Sequence, residues 1–134
     1  MKMLSVNSSD EEILGYITEW VVSLAEEDYE SAYKKTSHDP YYEWTPDLIK
    51  RVINGYGLPE PHPSGEIFKV TPIKEAKGET PKQEIDRGPY DGNRLGYVYY
   101  DLPLNGEWSD LTASFRLEIQ GQNLDVILEE IHVM

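Results

Sequence analysis

Between Ser9 and Leu24 the apolar residues recur every three or four positions, so that Ile13, Ile17, Trp20, Val21 and Leu24 form one stripe of a helix expected to bury Trp20. Ser9 and Glu12 frame its start as a capping box, and Asp10 and Glu11 place negative charge at the positive helix end. A break near Glu27-Asp28 precedes a short second helix presenting Tyr29, Ala32 and Tyr33. Thr45 as N-cap, Pro46 at the first helical position and Gly55 past the end bracket a third, whose buried side is Leu48, Ile49, Val52 and Ile53.

From there the period changes from helix to strand. "IFKVTPI", residues 67–73, reads as a first strand ended by Pro72, and residues 74–94 as a long exposed loop rich in turn signals. Three strands follow, near 95–104, 107–120 and 124–133, as an antiparallel meander. Asn105-Gly106 fits a two-residue type I′ turn, which pairs Leu104 with Glu107 and, continued, Tyr100 with Leu111, Val98 with Ala113 and Gly96 with Phe115. Pro103 is the weak point of that register, because proline has no amide hydrogen to give a ladder. The same register sets Asp101 opposite Asp110, a repulsion relieved either by a cation, a partner or protonation, or by splaying of the hairpin end, which is favoured.

The last strand leaves two readings. A turn at Gly121-Gln122 pairs Ile119 with Leu124, Leu117 with Val126 and Phe115 with Leu128. Unbroken, it brings Glu130 and His132 to the core face beside Tyr100, an acid–base or ligand-binding arrangement. A bulge at Glu129-Glu130 instead turns Ile131 and Val133 inward and leaves His132 at the surface. The bulge is favoured, since it buries apolar side chains and no charge. Tyr100, Trp108, Asp110, Glu130 and His132 are therefore the candidate pocket residues.

At 134 residues the chain is expected to be one domain, residues 1–134, and its 39% hydrophobic and 11% aromatic content is that of a folded protein. It has no cysteine, which excludes disulfides and thiolate chemistry. No apolar run is long enough to span a membrane, so no membrane association and a cytoplasmic location are expected. The net charge of −13 sits at the two ends: residues 1–30 hold eight acids against Lys2, and residues 101–134 hold seven against Arg116. Such ends repel phosphate backbones, which argues against nucleic acid, and attract a basic protein. Glu26, Glu27, Glu129 and Glu130 are the acids expected to steer it. His38, His62 and His132 lack metal-ligand spacing, Gly55-Tyr56-Gly57 lacks the context of a phosphate loop, and no serine lies in a nucleophile elbow, so no metal, no cofactor and no catalytic residue is assigned. In "DPYYEW", residues 39–44, the aromatics either line a pocket mouth or, the favoured reading, staple onto the core.

Three helices including "DYESAYKK" and "TPDLIKRVINGYG", followed by a meander, resemble the NTF2-like (cystatin-like cone) superfamily, over most of the chain. That resemblance implies an α+β fold with N-terminal helices packed on a curved antiparallel sheet, and in some members a homodimer through the sheet's outer face, here at Tyr97, Tyr99, Ile127 and Ile131 under the unbroken register. More narrowly, "WSDLTASF" and the ending "IHVM" resemble an uncharacterised bacterial domain family, with Trp108, Asp110 and His132 at its typical positions. NTF2-like folds serve enzymes of the cyclase and isomerase type, ligand-binding scaffolds and immunity proteins, and fold does not choose among them. Two functions are carried forward. The favoured one is an acidic, non-catalytic interaction protein of immunity type that neutralises a basic toxin. The other is a small-molecule enzyme or binder using the candidate pocket in a cone-shaped cavity.

Overall fold

The computed structural model describes residues 4–133. Its order is β1 (Leu4–Ser5), α1 (Asp10–Ala25), α2 (Tyr29–Lys35), β2 (Ser37–His38), α3 (Pro46–Asn54), a 3₁₀ turn (Ile73–Glu75), β3 (Gln83–Asp86), β4 (Arg94–Leu104), β5 (Glu107–Gln120) and β6 (Asn123–Val133). The strands form one curled sheet in the order β1-β6-β5-β4-β3, antiparallel throughout except that β2 runs parallel to β6. The fold is α+β, with three helices on one face of that sheet.

The helices begin and end where their capping residues stand. Ser9 and Glu12 form both bonds of the capping box, Asp28 accepts from the Ser31 amide, and Thr45 accepts from the Leu48 amide ahead of Pro46. The stripe of α1 is buried as its spacing requires. Trp20 is fully buried and meets Phe115 of β5 edge-on, with ring centroids 5.1 Å apart. Ile49, Val52 and Ile53 of α3 join Leu102, Leu111, Leu117 and Leu128 in the same core.

Two expectations fail upstream of the meander. Residues 67–73 make only an isolated bridge between Val70 and Leu104, and Ile67 is exposed. Pro72 offers no amide, and the segment instead docks on the hairpin tip, with Asn105 donating its amide to the Lys69 carbonyl and Thr71 donating to that of Pro103. Within residues 74–94, in turn, Gln83–Asp86 is a true strand paired with Tyr97–Tyr100 of β4. Its only apolar residue is Ile85, so the open edge of β4, not hydrophobic patterning, specifies it; its charges suit an edge strand.

The hairpin has the expected turn, with Asn105 and Gly106 both at positive φ. Leu104 pairs with Glu107 and Pro103 with Trp108, and then the register shifts by two, to Asp101 with Thr112, Tyr100 with Ala113 and Val98 with Phe115. Proline is tolerated because the backbone groups of this pair point away from each other: Trp108 donates to the Lys77 carbonyl, and the Pro103 carbonyl accepts from Thr71. The extra β5 residues are held by the Ser109 hydroxyl, 2.6 Å from the Leu102 carbonyl. The shift removes the supposed Asp101–Asp110 opposition. Asp101 accepts from the Thr112 hydroxyl at 2.7 Å and the Lys82 amide at 2.8 Å, while Asp110 accepts from the Tyr56 hydroxyl.

Candidate functional site

Along β5 and β6 the pairs Ile119–Leu124, Leu117–Val126 and Phe115–Leu128 form as expected, and then Ser114 meets Glu130, leaving Glu129 as the extra residue of a bulge. Two groups of the inserted residue find partners outside the ladder. The Glu129 carbonyl accepts from the Trp44 indole Nε1–H at 3.0 Å, and the Glu129 carboxylate accepts from Arg116 at 2.8 Å. Arg116 also holds Asp39 at 3.0 Å and Glu118 at 2.9 Å, so one guanidinium ties the 39–44 loop to both strands. The Asp39 carboxyl is held below the usual carboxylate range, first by the Tyr41 backbone amide and next by Arg116. The bulge turns Ile131 into the core, 3% exposed, and Glu130 and His132 to the opposite face. Val133 shares the inward parity of Ile131 but lies at the uncovered end of the sheet, 46% exposed.

This outcome separates the candidate residues. Tyr100 is buried on the core face, its hydroxyl 2.8 Å from the Thr18 hydroxyl, and burial raises its pKa. It faces away from Glu130 and His132, so the acid–base cluster of the unbroken register is not assembled. Trp108 sits near the hairpin tip, half-buried opposite Pro103, and Asp110 is exposed beside Tyr56. Only Glu130 and His132 come together: His132 Nδ1 lies 2.8 Å from Glu130 Oε2, at an angle that makes no hydrogen bond.

Sequence reasoning missed the partner that makes a site of them. The Tyr42 hydroxyl donates to Glu130 Oε1 at 2.5 Å, and that bond to a carboxylate, more than burial, pushes Tyr42 up to about 12. Tyr42, Trp44, Leu48, Val52, Pro59 and Ile131 wall a groove of about 330 Å³ with Glu130 and His132 at its polar side. Both readings of "DPYYEW" thus hold for different residues: Trp44 is stapled into the core, whereas Tyr42 lines a pocket mouth.

The helix-free face of the sheet carries the second feature. Alternation along β3, β4, β5 and β6 places Glu84, Asp86, Asp101, Glu118, Asp125 and Glu130 on it, with Arg94 and Arg116 among its cations. Tyr97 and Tyr99 stand half-buried among them, and Tyr90 folds over from the loop after β3. Its ring meets Tyr97 edge-on at 5.3 Å, and its hydroxyl donates to Asp86 at 2.6 Å. Arg94 lies over the Tyr97 ring at 5.5 Å and donates to its hydroxyl. Ile131, expected here under an unbroken ladder, is not on this face, and Ile127 is 5% exposed. Among the acids expected to steer a partner, Glu27 pairs with Lys69 and Glu129 with Arg116, so neither offers a free charge.

Among the described residues no helix is long and apolar enough to cross a membrane, and no group of three or more His, Asp or Glu side chains is placed to hold a metal ion. The family model described as a domain of unknown function (DUF7668) matches residues 21–134. The chain belongs to this family. The match takes in α2, α3, the bulge, the groove and every strand of the sheet except β1, a wider span than the motifs "WSDLTASF" and "IHVM" that carry the resemblance to an uncharacterised domain. No curated protein and no solved structure matches the chain.

Proposed function

We propose that this member of the DUF7668 family is a non-catalytic binding module, NTF2-like in architecture, that engages a basic protein through the helix-free face of its sheet, in the manner of an immunity protein covering a basic toxin. The observation that carries this reading is the row of Tyr90, Tyr97 and Tyr99 standing among Glu84, Asp86 and Asp101. Tyrosines supply apolar contact area at low entropic cost and are over-represented where binding energy concentrates. The acids around them supply steering and select the sign of the partner. A second copy of the chain would set acid against acid on this face, so a basic partner fits it better than self-association does. The setting of Tyr100 supports the same choice, because it is 1% exposed within the core and its hydroxyl is taken up by that of Thr18.

The test is kinetic. The partner is captured from the native cell extract, and its association rate is measured as salt rises. The rate should fall steeply, since screening acts over roughly 8–10 Å at 0.1–0.15 M salt, and the double charge reversal Glu84→Lys with Asp86→Lys should slow association about tenfold or more at low salt. A salt-independent rate, or an unchanged rate in that variant, refutes the reading.

A further inference from the structure

The groove beside the bulge asks for an occupant of its own. β1 pairs with β6 at Asn123–Leu124 and β2 at Ile127–Leu128, and beyond Leu128 no strand pairs with the outer edge of β6 among the described residues. That edge is nevertheless too short to accept another strand. Trp44 takes the Glu129 carbonyl at one end, and at the other Gly57 lies against the chain, where an added Cβ would be in ordinary contact, 3.7 Å, with the Val133 amide nitrogen. What stays open is the groove of about 330 Å³, apolar at its floor through Leu48, Val52 and Ile131, with the Glu130 carboxylate and the His132 ring at its side. A single long side chain suits that shape.

Charge and surface chemistry say which one. Glu130 is tied to the neutral hydroxyl of Tyr42, and its contact with His132 makes no hydrogen bond. No lysine or arginine is paired with it among the described residues. Resting on the reading above, we propose that this groove receives one arginine side chain of the basic partner, its guanidinium meeting the Glu130 carboxylate and its stem lying along the apolar floor beside the Tyr42 ring. Arginine is chosen over lysine because a guanidinium is more weakly hydrated and stacks on aromatic rings, so it loses less on entering an apolar-walled space. Glu130 lies on the same sheet face as the tyrosine row, at its β6 edge, so one partner reaches both.

The test uses the full chain and a minimal probe, N-acetyl-arginine methylamide, titrated while the Trp44 indole N–H is followed by NMR. That proton reports on the groove because its acceptor is the Glu129 carbonyl. A saturable shift is expected. It should weaken about tenfold in Glu130→Gln, as the loss of one charge-assisted contact implies, and remain unchanged in Glu84→Gln with Asp86→Asn. The amide oxygen of the Glu130 variant can still accept from Tyr42, and retained signal dispersion confirms that it folds. No saturable shift, an unweakened shift in Glu130→Gln, or an equal response to N-acetyl-norleucine methylamide overturns the proposal, and an equal response to the lysine analogue overturns the choice of arginine. These outcomes are separate from those of the sheet-face reading, which fails on the salt dependence and the Glu84/Asp86 reversal whatever the groove binds.

Discussion

Truncating Ile131 and His132 in turn tests the bulge from which both the groove and the facing of the sheet follow. Ile131→Ala removes three carbons from a side chain that is 3% exposed and sits on the core face opposite Ala113. At about 0.8 kcal/mol per buried methylene the transfer loss is roughly 2–2.5 kcal/mol. The void left behind adds to it, and partial collapse toward the neighbouring groove limits that addition, so about 3 kcal/mol is expected. For a chain of this size that corresponds to a fall in Tm on the order of 10 °C. His132→Ala removes a half-exposed ring whose close contact with Glu130 is not a hydrogen bond, and should change stability by less than about 0.5 kcal/mol. The assay is urea unfolding of both variants and the parent, compared at equal slope so that midpoints report stability. Equal losses, or a larger loss for His132→Ala, would mean that β6 runs without its bulge and that the imidazole faces the core.

Three further outcomes follow from the same geometry. Trp44→Phe strands the carbonyl of the bulge residue and should cost about 1–3 kcal/mol in the same urea assay, with faster amide exchange at 128–131; an unchanged midpoint would show that the indole bond does not hold the bulge. Arg116→Leu leaves Asp39, Glu118 and Glu129 without their cation and should cost about 2–3 kcal/mol at neutral pH. In the parent, a folded Asp39 pKa below the unfolded value near ~4 means stabilisation that is present above that pH and lost as pH falls through the folded value, whereas stranded carboxylates favour protonation, so the gap between parent and variant should narrow on acidification; urea midpoints across that range check this, and a constant gap contradicts it. Tyr42, with its folded pKa pushed up to about 12, contributes stability that is full below the ordinary tyrosine value near ~10 and lost as pH rises through the folded value; tyrosinate absorbance should show its titration moving back toward the ordinary value in Glu130→Gln, and no movement would mean that Glu130 is not its partner.

What the sequence made legible was carried by local rules with a single dominant cause. Ser9, Asp28 and Thr45 mark helix starts because their oxygens satisfy amides that nothing else reaches, and Asn105-Gly106 marks a turn because it needs two positive φ angles. The bulge at Glu129 was legible for a different reason, since an unbroken ladder would have buried Glu130 and His132 and exposed Ile131. The strand Gln83–Asp86 was not, because an edge strand held by backbone pairing needs no apolar pattern of its own. The hairpin register was lost at Leu102, where Ser109 closes a bulge that keeps the alternation of faces and therefore leaves the hydrophobic pattern unchanged. Of the site, Glu130 and His132 were visible as a pair two residues apart on one strand. Tyr42 was not, because a contact between residues 88 positions apart depends on how the 39–44 loop crosses the edge of β6.

The claim that the tyrosine-bearing, acid-rich sheet face is the binding surface is tested most directly by photo-cross-linking inside the native cell. A photoreactive phenylalanine analogue replaces Tyr99 on that face in one variant and, in the other, Val22, which is 47% exposed on α1. A covalent adduct with a single basic protein is expected from position 99, reduced when Glu84 and Asp86 are also reversed to lysine, and none from position 22. An adduct from position 22 alone, an acidic protein captured at 99, or adducts between two copies of this chain would contradict it.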